Sequence, residues 1–242
     1  MIPKLGLAGH KEDPLGRTLK IKDFIQPTFA CPADCDLTFG MVADTDDLRN
    51  ASIGLCALAG PGHFERWTDQ LCDREPRVSG ASVEREYRLM VPGFDPDLPE
   101  TDTGLYALDV FKRWRSVGLF GLPPIRAFGQ VAYNNPDEVV KASFLLGGVF
   151  FCFNLPYKVK AGSIFEADVW DVADDDGGIA GGHLVWNRNS WGMRKVPTPA
   201  FIERYCFDAF AAVSAEAIKK DGRAFSGLDL GGLDEALQLV TA

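Results

Sequence analysis

At 242 residues and 46% hydrophobic composition, the chain is long enough to bury a substantial core, and one compact unit is the economical reading. A formal charge of -9 at pH 7 and a pI near 4.9, without any long Lys/Arg run, lack the concentrated positive field that phosphate contacts require, so no nucleic-acid partner is expected. No apolar run reaches the ~20 residues of a spanning helix. The longest, 142–155, is broken by Gly147, Gly148 and Asn154, and the first residues form no leader with a charged then an apolar part. The expectation is a protein kept in the cytoplasm, with no membrane contact.

Residues 1–40 are rich in Pro and Gly and are expected to form an extended arm laid over a domain made by residues 41–242. Within the arm, Leu19 to Ile25 alternates apolar and polar residues and predicts a short strand. Cys31 and Cys35 have the spacing of half a zinc site. No second pair and no suitably spaced His accompany them, so no metal is expected. The six cysteines lie at irregular spacings in a chain too long to need staples, and free thiols are the default.

From Ile53 the pattern becomes helical, with Asn50 and Ser52 as candidate caps and Leu55, Leu58, Phe64, Trp67 and Leu71 recurring at helical spacing. Cys56 falls in the first turn. Unpaired backbone N–H groups and the positive end of the helix dipole favour a thiolate there, although a Cys at a helix start is also a common small core residue. Pro61, between Gly60 and Gly62, predicts an interruption and a kink. His63 lies about 10 Å further along the axis than Cys56, too far for a hydrogen bond, and is read as structural.

Ser79 to Met90 predicts a second helix capped at Ser79 or Ser82, and Gly104 to Trp114 a third that ends at Gly118. Ile125 to Tyr133 reads as a strand, the segment opened by Asn135-Pro136 as a helix, and Gly148 to Leu155 as a buried strand. Asp174, Asp175 and Asp176 lack the alternating ligand spacing of a calcium loop and read as a solvated turn. In GGHLVWNRNSWG, from Gly181 to Gly192, Asn189 follows His183 by six residues and can orient its imidazole if the segment folds back as a hairpin. Pro199 to Val213 reads as strongly helical, and a short amphipathic helix closes the chain.

The order of a side-chain amide at Asn50, Cys56 on a helix start, a late Gly-His at His183 and then Asn-Ser-Trp-Gly resembles the papain-like cysteine peptidases. It is similar in particular to papain-fold proteins of this length in bacteriophages and prophages. The segments that carry this likeness are GMVADTDDLRNASIGLCALAGPGH, GLYALDVFKRWRSVGL, FLLGGVFFCFNLP, GGH, TPAFIERYCFDAFAAVS and SGLDLGGLDEAL, which cover most of the chain after the arm.

The resemblance implies an α+β, papain-like fold of two lobes, a helical first lobe with the Cys helix and a β-rich second lobe with His and Asn. It also implies roles: Cys56 as nucleophile, His183 as general base and acid, Asn189 as its orienter and Asn50 as a donor to the oxyanion. The chemistry would be acyl transfer on a peptide or isopeptide bond through a thioester, with no metal or organic cofactor, on a peptide or protein substrate. The alternative is a catalytically decayed papain-fold protein built into a phage particle, in its capsid or tail, with neighbouring virion subunits as partners. The extended arm and the short connection between His183 and Asn189 favour that alternative.

Overall fold

The computed structural model describes residues 5–13, 18–31, 46–187 and 196–241. The first elements are β1 (Leu19–Lys20), α1 (Cys56–Leu71), α2 (Gly80–Met90), α3 (Ala107–Val117), β2 (Ala127–Gln130), α4 (Pro136–Leu146) and β3 (Val149–Pro156). Three two-residue strands follow, β4 (Lys158–Val159), β5 (Gly162–Ser163) and β6 (Val169–Trp170). The chain continues with β7 (Ile179–Asn187), β8 (Val196–Pro197), α5 (Pro199–Tyr205), β9 (Cys206–Val213), α6 (Ala215–Asp221) and α7 (Leu230–Thr241).

The main sheet has the order β1-β2-β9-β3-β7, antiparallel except where β1 meets β2. Successive residues of a strand face opposite sides, and β3 divides accordingly. Phe150 and Cys152 join Leu184, Phe210 and the buried faces of α1 and α3 in one apolar cluster. Phe151, Phe153 and Leu155 join α4, α5 and the other face of β9 in a second. The sheet is thus covered on both sides, and the first cluster couples it to the helices of the first half through a run of rings that includes Phe64, Trp114, Phe111 and Phe150.

Local signals hold where they were strongest. Ser79 caps α2 and Ser82 completes a reciprocal capping box, so both candidate serines are used. Asn135 caps α4 with Pro136 in its first turn.

Two expectations fail. The segment Pro199 to Val213 is helical only to Tyr205; the remainder is β9, lying between β2 and β3. Burial on both faces removes the alternation that marks a strand, and the Ala-rich run FDAFAAV then reads as helix. Nor does Pro61 interrupt α1, which runs from Cys56 to Leu71 with the proline inside it. The predicted strand from Leu19 is reduced to two residues followed by a 3-10 turn over Ile21–Phe24.

Candidate active site

The approach to α1 is set by two consecutive left-handed residues, Leu48 (φ 52°) and Arg49 (φ 66°). Asp46 and Asp47 hold this strained turn by accepting the Leu48 and Arg49 N–H groups at 3.0 and 2.9 Å, an Asx pattern that offsets the cost of positive φ. Asn50 lies in that turn, and its Oδ1 is buried without a hydrogen-bond partner among the described residues. Leu55 then stands at the N-cap position of α1 with no side-chain cap, so the first helical N–H groups are left for other acceptors.

The Cys56 sulfur is one of those acceptors. The thiol is fully buried, and backbone groups of Leu184, Gly6, Ala57 and Cys56 itself hydrogen-bond to it. Each of these contacts favours the thiolate. Burial outweighs them and pushes the thiol up to about 11, so it rests protonated.

His183 stands on β7 opposite Phe153 of β3. Its Nδ1 is buried without a partner among the described residues, and burial alone lowers its pKa to about 4, so the ring is neutral. The backbone bond from Leu184, the next residue, brings this part of β7 against the Cys56 sulfur. Cys56 and the His183–Leu184 stretch of β7 are therefore together, whereas no hydrogen bond joins thiol to imidazole. Asn189 and Trp191 lie outside the described residues.

Residues 5–8 add a paired segment between residue 105 and β7, close to the start of α1, a feature that local pattern does not announce. Leu7 donates to the Gly182 carbonyl on β7 at 3.1 Å, Leu105 donates to the Gly6 carbonyl at 2.9 Å, and Ala8 donates to the Leu105 carbonyl at 2.9 Å. Leu7 thus pairs antiparallel with Gly182 on one side and parallel with Leu105 on the other. Gly6 is packed between Gly54 and Gly104, and those two are positioned in turn. Asp102 accepts the Gly54 N–H at 2.9 Å, and the Tyr87 hydroxyl, which donates to Asp102, accepts the Gly104 N–H at 2.9 Å.

A second group of polar residues also escaped the sequence reading. Asp208 of β9 is buried beside Cys152, its neighbour in register on β3, and burial raises its carboxyl pKa despite His10, the Ala209 N–H and Gln130. His10 Nδ1 lies 3.4 Å from Asp208 Oδ2, so the N-terminal segment is anchored beyond Ala8 as well. Lys11 and Asp13 continue the anchoring through ion pairs to Asp109 and Lys112 of α3.

Among the described residues no group of three or more His, Cys, Asp or Glu side chains is arranged to hold a metal, and no helix is long and apolar enough to cross a membrane. Cys35 of the CPADC pair lies outside them. Cys56, Cys72, Cys152 and Cys206 are free thiols. The aspartates at 174–176 occupy a turn in which Asp175 and Asp176 accept the Gly177 and Gly178 N–H groups.

No family model and no curated protein sequence matches the chain. Among solved structures, its fold is similar to that of xylellain, a cysteine protease from Xylella fastidiosa, with a TM-score of 0.63 and 14% identity over 88% of this chain and 97% of that one. At that identity the likeness establishes the fold: α+β and papain-like, with a helical part first and a sheet after it.

Proposed function

We propose that the chain is a papain-like thiol hydrolase that cleaves a peptide or isopeptide bond through an acyl-thioester on Cys56. One observation carries the reading: a cysteine at an uncapped helix start, supplied with backbone N–H donors, lies against the strand that bears the Gly-His pair. In this scheme Cys56 attacks the carbonyl carbon, and the Cys56 N–H with the Asn50 side chain receives the oxyanion. His183 takes the thiol proton and returns it to the leaving amine, with Asn189 as its orienter. Water then cleaves the thioester. In the buried resting pair the first proton transfer is uphill, because burial favours both neutral forms, and water or substrate entering the site must lower that barrier.

The test is cleavage of a peptide library followed by mass spectrometry, with Cys56→Ala and His183→Ala as controls. Cleavage by the parent chain that is lost in both variants is the expected result. Cleavage that survives Cys56→Ala, or none by the parent once Cys56 is accessible to alkylation, ends the proposal.

A second reading rests on the His183 Nδ1, which has no partner among the described residues, and on the buried, protonated Cys56 thiol. It makes the chain a papain-fold component of a phage particle, with neighbouring subunits as partners. Co-purification with particles at fixed stoichiometry, and assembly unaffected by Cys56→Ala, favours it over the first; both readings take up the phage or prophage origin that the sequence resemblance implies.

A further inference from the structure

At the edge of the main sheet opposite β7, residues of β1, β2 and β9 enclose a cavity of about 270 Å³ together with His10 and the start of α4. Pockets that enclose drug-sized ligands run to ~300–1,000 Å³, so a smaller molecule fits this one. Asp208 lines the cavity, and its buried carboxylate is poorly served. Oδ1 accepts the Ala209 N–H at 3.0 Å and Gln130 Nε2 at 3.3 Å, whereas Oδ2 meets His10 Nδ1 at 3.4 Å and no other donor among the described residues. Charge-assisted bonds from nitrogen to a carboxylate close to about 2.7–2.9 Å. Burial outweighs these contacts and raises the carboxyl pKa, which a cation brought to Oδ2 would reverse.

The other wall has the complementary lack. Lys20 and Lys22, exposed on either side of buried Ile21, line the same cavity and pair with no carboxylate among the described residues. Acids are not scarce: the chain has 34 Asp and Glu against 25 Lys and Arg, and Lys11, Lys112, Lys141, Lys158 and Lys220 each hold an aspartate at 3.0 Å or less. Glu138, the second acid of the cavity, is buried and accepts the Ala132 N–H at 3.0 Å. Lys20 is in register with Gln130 on β2, and β2 lies between β1 and β9, so the lysines and Asp208 stand two strand spacings apart, about 10 Å between backbones. Side chains from both walls reduce that gap to the span of one or two amino-acid residues, ~3.4 Å each. Phe207 and Tyr133 add aromatic surface, and the Tyr133 phenol, held protonated by burial and by the nearby Cys206 and Asp208, is a further donor.

We propose that this cavity binds a small zwitterion, a dipeptide, with its ammonium group on Asp208 and its carboxylate on Lys20 and Lys22. An apolar side chain of the ligand lies on Phe207 and Tyr133. The site is at the far edge of the sheet from His183 and does not depend on Cys56 being a nucleophile.

The experiment is calorimetric titration of the full-length chain with three ligands: L-leucyl-L-alanine, its N-acetyl form, which lacks the ammonium group, and its C-terminal amide, which lacks the carboxylate. Saturable binding of the dipeptide at one site, at least ~10-fold tighter than either analogue, is the expected result. The double variant Lys20→Gln, Lys22→Gln changes exposed side chains and should weaken the dipeptide at least ~10-fold while leaving the amide unchanged. Asp208→Asn should weaken the dipeptide and leave the acetylated form unchanged; where that variant does not fold, the lysine variant and the three ligands on the parent chain decide. Absence of saturable dipeptide binding, equal affinity for the dipeptide and either analogue, or a dipeptide affinity untouched by the lysine changes overturns the proposal.

Discussion

Burial acts on the ionisable groups around α1 in opposite directions. His183 has its pKa lowered from 6.5 to about 4, so the fold favours its neutral form; that contribution is complete above pH 6.5 and is lost as pH falls towards 4. Glu65, buried on α1 with its carboxylate accepting the Trp114 indole N–H at 3.1 Å, has its pKa raised from 4.5 to about 7. The fold favours its protonated form. That contribution is complete below pH 4.5 and is lost as pH rises through 7. Between pH 4.5 and 6.5 the two slopes oppose each other, each limited to ~1.4 kcal/mol per pH unit for one proton. Urea midpoints across this window should therefore tilt in opposite directions in the two variants. Compared with the parent chain, His183→Gln should lose stability as pH rises and Glu65→Gln should gain it. Parallel profiles for the parent and both variants would show that neither group titrates differently in the folded state.

At the scale of elements, glycine caps separate the cost of backbone strain from the cost of crowding. Gly147 ends α4 at φ 80° and Gly222 ends α6 at φ 77°, both in the left-handed region. A Cβ on Gly222 meets nothing within 4 Å, whereas one on Gly147 would run into the Trp67 ring. Gly222→Ala should cost about 1 kcal/mol from strain alone. Gly147→Ala must also displace a buried indole packed on Phe64 and Trp186, and should cost about 2–4 kcal/mol by chemical denaturation. Equal losses would mean that the ring yields freely. Cap signals such as Ser79 and Asn135 were readable in the sequence because they act within four residues of themselves. β9 was not, since its strand character comes from neighbours on both edges and both faces. The candidate site divides in the same way. Cys56 at a helix start and His183 after two glycines announce themselves locally, whereas the segment packed beside them depends on pairings of Leu7 with Leu105 and Gly182, roughly a hundred residues or more away.

Across the whole molecule, the end of α1 is tied to the late helix α6 by a charged cluster whose members are buried to very different extents. The Asp69 side chain is fully buried and accepts the Arg77 N–H at 2.9 Å, Arg77 Nε at 2.7 Å and the Arg74 guanidinium at 3.0 Å. Glu216 of α6 binds the same two arginines from outside, bidentate to Arg74, with 48% of its side chain exposed. An exposed ion pair is screened by water and contributes less than ~1 kcal/mol, whereas removing the buried member of a hydrogen-bonded pair leaves donors unpaired and costs about 3 kcal/mol or more. The arginines are about one-third exposed and can turn partly towards water, which places Asp69→Ala near the lower end of that range. Asp69→Ala should thus destabilise the chain at least about threefold more than Glu216→Ala. In the double variant the effect of Glu216→Ala should change, because arginines freed from Asp69 rely on Glu216 alone. Strict additivity in the urea cycle would show that Asp69 and Glu216 hold Arg74 and Arg77 independently, and that α1 and α6 are joined by packing rather than through a shared set of charges.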